Sequence, residues 1–104
     1  MGRIVIACYR PKTGKADLLT QVVGEHWSHL RREGLVTERK PIVGRASDGT
    51  MIEVFEWASR EAIQAAHDNA AVQRIWERFA EVCDHVPIGQ VPEASELFSE
   101  FAPM

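Results

Sequence analysis

Two segments of this sequence, Arg3–Tyr9 and Met51–Trp57, are apolar on both faces when written as β-strands, and no other feature restricts the fold as much. In an extended chain successive side chains point to opposite sides. Ile4, Ile6 and Cys8 therefore share one face of the first segment, and Val5, Ala7 and Tyr9 share the other. The second segment places Met51, Glu53, Phe55 and Trp57 on one face and Ile52, Val54 and Glu56 on the other. A strand with one side in water alternates apolar with polar residues. These segments depart from that rule, so the sheet that holds them needs a cover on each side.

The rest of the chain supplies one such cover. After strand one, Pro11 ends ladder pairing and Pro11–Lys15 reads as a turn. Ala16–Glu33 then carries apolar residues at positions 19, 22, 23, 27 and 30, the spacing of one helical face, and Gly34 is a good helix stop. Leu35–Val43 reads as strand two, with Pro41 at an edge or bulge. Asp48-Gly49, within the turn 44–50, predicts a hairpin into strand three. Ser59 is an N-cap for a helix through Ile63, Ala66 and His67, and Asp68-Asn69 interrupts it. Asn69 caps a longer helix with apolar positions 72, 75, 76, 79, 82, 83 and 86. Val86–Val91 is expected as strand four, followed by an apolar tail over 92–104.

The predicted order is β-α-β-β-α-β, an α+β, ferredoxin-like split βαβ pattern with an antiparallel four-stranded sheet. Helices cover one face of such a sheet. The other face must be buried by something outside the pattern, and a second copy of the same sheet is the simplest supply. The expectation is a homodimer whose sheets pack face to face, with the 92–104 tail packing on the dimer.

At 104 residues the chain makes a single domain, 1–104. A net charge of −3 disfavours nucleic acid, which requires a basic surface. The apolar run at the N-terminus is too short for a signal-peptide core or a membrane span, so no membrane is implied and the cytoplasm is the expected location. Cys8 and Cys83 fall at apolar positions without metal-type spacing and read as buried thiols.

A strand ending in Phe55-Glu56-Trp57, followed by Ser59, Glu61-Ala62, Ala66-His67 and a helix beginning near Val72, resembles the dimeric α/β-barrel superfamily and, within it, the antibiotic-biosynthesis-monooxygenase-like proteins. The resemblance implies a two-sheet barrel formed by the dimer, with a cavity in each protomer between sheet and helices. It also implies a choice among cofactor-free oxygenases of quinol-like aromatics, isomerases, haem-handling enzymes and members without a known reaction. Fold alone does not choose among them. Haem-handling relatives pair a strand-one Asn with a Trp and a helical His; strand one here has no Asn, and Glu77 is nearest to the place of that His.

Among residues able to carry chemistry, His67 lies beside the apolar face of its helix and is the candidate general base. The competing reading is a helix-terminal His bonded to backbone. Glu53 is a carboxylate in an otherwise apolar strand face, so it needs a partner, cavity water or a raised pKa. It is the candidate acid or orienting group; an ion pair with Arg39 or Arg45 is the structural alternative. Tyr9, Phe55, Trp57 and Trp76 are candidate walls for a small apolar or aromatic ligand, although aromatics at such spacings usually serve the core. His26 and His29 share a helix face, with His26 edging the core, but no metal-ligand motif accompanies them. No Gly-rich phosphate loop occurs, so neither a metal nor a nucleotide cofactor is implied.

Two functions follow: a cofactor-independent monooxygenase-like enzyme on a small aromatic or quinol-like substrate, or a non-catalytic barrel that binds an apolar metabolite or acts as a stress-associated accessory module. An interaction domain using the Leu97–Phe101 tail ranks third.

Overall fold

The two doubly apolar segments pair with each other. In the computed structural model, which describes residues 1–104, β1 (Arg3–Pro11) runs antiparallel to β3 (Met51–Trp57), with Ala7 opposite Glu53 and Cys8 opposite Ile52. Around this central pair lie α1 (Ala16–Arg32), β2 (Ile42–Arg45), α2 (Arg60–His67), α3 (Ala70–Val82), β4 (Cys83–Val86) and β5 (Ala102–Pro103). The sheet order is β4-β1-β3-β2-β5, and every neighbouring pair is antiparallel. The fold is α+β: one five-stranded sheet and three helices.

Local chemistry explains the boundaries. Ser59 Oγ accepts from the Ala62 N–H and Asn69 Oδ1 from the Val72 N–H, so each of the two later helices starts on a side-chain cap. α1 ends before Gly34, which takes φ +73°, and Gly49 takes φ +91° in the Asp48-Gly49 turn; both values favour a residue without Cβ.

Three expectations need correction. The sheet has five strands, because Ala102–Pro103 pairs with Gly44–Arg45 on β2. β2 begins at Ile42 rather than Leu35; Leu35 and Val36 bury their side chains against the helices, and Val36 makes only an isolated bridge to Trp57. β4 is Cys83–Val86 rather than Val86–Val91. The helical apolar stripe runs past Val82 in sequence, but Cys83 is already extended (φ −152°, ψ 168°) and joins the ladder of β1 opposite Pro11. Ile88–Gln90 forms a single 3-10 turn after Pro87 instead.

All three helices pack on the sheet face that carries Tyr9, Met51, Phe55 and Trp57. α1 buries Leu19, Val22, Val23, His26 and Leu30; α3 buries Val72, Ile75, Phe79 and Val82. On the opposite face Cys8, Ala46, Ile52 and Val91 form a small cluster beneath Val86, Ala94 and Phe101. That cover is partial. Ile4, Ile6 and Ile42 remain 71%, 50% and 72% exposed. Cys8 and Cys83, on opposite faces of the sheet, are both free thiols.

Candidate functional site

Glu53 sits at the centre of the sheet, opposite Ala7 on β1 and Val43 on β2, with its side chain turned toward the helices. It is completely buried. A carboxylate in that position needs strong donors to offset lost hydration. Two reach the same oxygen: Tyr9 donates its phenol O–H to Glu53 Oε1 at 2.7 Å, and His26 Nδ1 lies 2.8 Å from that atom. Strand period places Tyr9, two residues from Ala7, on the same face as Glu53, while the helical row of Val22, His26 and Leu30 brings the imidazole over the sheet.

The chain of bonds continues on the far side of the imidazole. Trp76 on α3 donates its indole N–H to His26 Nε2 at 3.1 Å. Indole is a donor only, so Nε2 must be the acceptor, and the proton of a neutral His26 sits on Nδ1, aimed at Glu53. An imidazolium would set N–H against N–H. Glu53 Oε1 thus receives two hydrogen bonds, while Oε2 is buried without a partner in the protein. Burial and the neighbouring Glu53 carboxylate push the Tyr9 phenol far above its ordinary range, which keeps it a donor.

Aromatic contacts hold this network in place. The Tyr9 and Phe79 rings stack at 4.6 Å, and His26 meets Phe79 and Phe55 edge-on at 4.9 and 5.6 Å. Beside them lies a cavity of about 280 Å³ lined by Tyr9, His26, Trp76, Phe79 and His85. His85, on β4, stands edge-on to Tyr9 at 5.2 Å with much of its surface in solvent. Partial burial, aided by the proximity of His26, lowers its pKa from 6.5, with Asp84 opposing.

The structure thus brings together three of the residues named from sequence: Glu53, Tyr9 and Trp76. Phe55 backs His26 without lining the cavity, and Trp57 belongs to the core around Leu30, Leu35 and Val72, its ring 5.3 Å from Phe55. His67 is the last residue of α2 and is exposed; its ring stands 5.2 Å from Trp76, and it makes no side-chain hydrogen bond to Glu53. The histidine at Glu53 is His26. Its signal was present in sequence, as a titratable residue in the apolar row of α1 at i+4 from Val22. Cys83-Asp84-His85 carries little weight as a cluster when read as helix, where adjacent residues diverge; as a strand residue His85 stands opposite Tyr9.

The alternative ion pair for Glu53 is not formed. Arg39 instead donates to Glu56 Oε1 at 3.0 Å, which also accepts from the Thr37 hydroxyl at 2.8 Å. With one nitrogen committed to Glu53 and the other to Trp76, His26 has no lone pair left for a metal ion in this arrangement. No helix is long and apolar enough to cross a membrane. Comparison of the chain with protein-family models, curated proteins and solved structures gives no match.

Proposed function

We propose that this protein is a small-molecule-binding dimeric α/β barrel with a ferredoxin-like core. In this reading it oxygenates a small aromatic or quinol-like substrate without a cofactor, in the cavity between sheet and helices. His26 is the general base and Glu53 the group that orients it. The observation that carries the reading is the 2.8 Å contact from Glu53 Oε1 to His26 Nδ1, which fixes the tautomer that leaves Nε2 basic. Tyr9, Trp76 and Phe79 supply flat walls, and a volume of about 280 Å³ suits a small ligand, near the lower end of the roughly 300–1,000 Å³ of ligand pockets. His67 stands beside Trp76 as its neighbour rather than as the base.

The chemistry balances without flavin or metal. His26 takes the proton of a substrate O–H, and the resulting anion gives electrons to dioxygen from a ring carbon conjugated with that oxygen. One oxygen atom ends in a product carbonyl at that carbon; the other leaves as water with the O–H proton and the hydrogen that the carbon carried. The substrate supplies every electron that dioxygen accepts. Dioxygen uptake with a panel of hydroquinones and anthrone-like ketones tests this. His26→Ala is expected to lower turnover about 10²–10⁴-fold, as loss of a general base does. Unchanged turnover in both His26→Ala and Glu53→Gln would remove these two residues from the chemistry, and no uptake by the wild type with any of the panel would leave the second reading, a non-catalytic barrel that binds an apolar metabolite or serves as a stress-associated accessory module. The buried aromatic lining supports that reading equally well.

The homodimer rests on the half-covered sheet face. Exposed Ile6 and Ile42 line a groove of about 240 Å³ that also touches Val54, Ile88 and Phe101, and exposed Ile4 lines a neighbouring hollow with Ile42 and Val54. Burying a side chain of this type stabilises by about 1.5–3 kcal/mol, and an isologous partner would present the same isoleucines in return. Leu97 and Phe98 in the tail are also exposed, at 91% and 83%.

A further inference from the structure

We infer that the indole N–H of Trp76 occupies the position of the ligand's own hydrogen-bond donor on His26 Nε2. The cavity then accepts an uncharged molecule bearing an O–H or N–H group, which takes that position as the indole turns outward. The inference rests on the reading of this cavity as a ligand site and deepens it by naming what the ligand replaces.

A neutral imidazole has one acceptor nitrogen, and in His26 it is the atom 3.1 Å from Trp76 Nε1. The other nitrogen is committed to Glu53 at 2.8 Å. His26 can therefore receive a proton, or a ligand's donor, only at the place where the indole N–H sits. A proton gained there would meet the indole N–H head-on, so base function and the Trp76 bond exclude each other.

Trp76 is suited to leave. Unlike Tyr9 and Phe79, which are buried, it is only half-buried, and the bond to His26 is the one hydrogen bond its side chain makes. Its neighbour His67, edge-on at 5.2 Å, is itself exposed. A neutral hydrogen bond exchanged for another of the same kind changes the free energy little, so the exchange is accessible to a weak ligand.

The surroundings choose the ligand's charge. No Lys or Arg lines the cavity, and the Tyr9 hydroxyl is already spent on Glu53, so an anion finds no counter-charge. Glu53 lies behind the lining rather than in it, so an entering ammonium meets no carboxylate at the wall. Aromatic walls with a single acceptor fit a flat neutral donor.

Phenol serves as the probe, and anisole, which has the same ring without a donor, as its control. In ¹⁵N-labelled protein the Trp76 indole resonance is assigned by its absence in Trp76→Phe. Phenol is expected to shift that resonance and those of His26 and Phe79, and anisole to bind more weakly. Trp76→Phe keeps an aromatic wall but removes the competing donor, so it is expected to bind phenol about two- to tenfold more tightly than the wild type. Phenol shifting His26 and Phe79 while the Trp76 indole stays unmoved, or binding equal or weaker in Trp76→Phe, would overturn the exchange and leave the ligand site standing. No shift at His26, Phe79 or His85 with either probe, in either protein, would overturn the ligand-site reading and the exchange together.

Discussion

His26 Nδ1 lies 2.8 Å from Glu53 Oε1, joining the middle of α1 to the centre of the sheet through two side chains that are 4% and 0% exposed. Such a contact is a stability element. Glu53→Ala strands the Tyr9 hydroxyl and the His26 N–H in the core and is expected to cost about 3–5 kcal/mol. Glu53→Gln keeps an oxygen acceptor and is expected to cost about 1–2 kcal/mol. Urea unfolding measures both, and an alanine variant as stable as the wild type would show that the network does not hold the core.

Tyr9 is the only tyrosine in the chain, which makes its ionisation directly visible. Its pKa in the fold is raised from 10.0 by burial and by Glu53, so the unfolded chain releases that proton first. Stability is then expected to fall as pH rises above about 10, and tyrosinate absorbance to appear only together with unfolding. Tyrosinate in a protein whose helical circular dichroism is intact would contradict the buried phenol.

His85 has the opposite sense. Its pKa in the fold lies below 6.5, so under acid conditions the unfolded chain binds the proton more readily. The stability associated with His85 is present above pH 6.5 and is lost as pH falls below it. His85→Asn is expected to flatten that part of a stability–pH profile measured by chemical denaturation; an unchanged slope would place its origin elsewhere.

Cys83 donates to the Phe79 carbonyl at 3.2 Å, and its thiol pKa is pushed up to about 11 by burial and by Asp84. Burial also raises Cys8. Because the thiolate is the reactive form, both are expected to resist iodoacetamide in the folded protein at neutral pH and to react readily in urea. Mass spectrometry reads the label on each peptide.

The exposed isoleucines make the proposed dimer testable apart from any chemistry. Sedimentation equilibrium at micromolar protein is expected to give twice 11.7 kDa, and Ile6→Asp with Ile42→Asp to give a folded monomer. A wild-type mass of 11.7 kDa would remove the proposed barrel.

Much of this architecture was legible in the residues alone, because periodicity is a local property. The doubly apolar strands, the capped helices at Ser59 and Asn69 and the Asp48-Gly49 turn all follow from spacings within a few residues. Glu53 stood out for the same reason, as a carboxylate in an apolar strand face. Its partner was another matter. Choosing between His26, His67 and Arg39 depends on which helix crosses the sheet centre, and residues 27 positions apart carry no local mark of meeting. The end of α3 was decided in the same way: the apolar stripe continues past Val82, but ladder bonds offered by β1 outweigh one more helical turn. The sequence by itself determined the two central strands, the helices and their caps, and the Asp48-Gly49 turn. Only the tertiary structure decided that Glu53, His26, Tyr9 and Trp76 form one hydrogen-bonded chain, because that depends on packing between elements rather than on order within them.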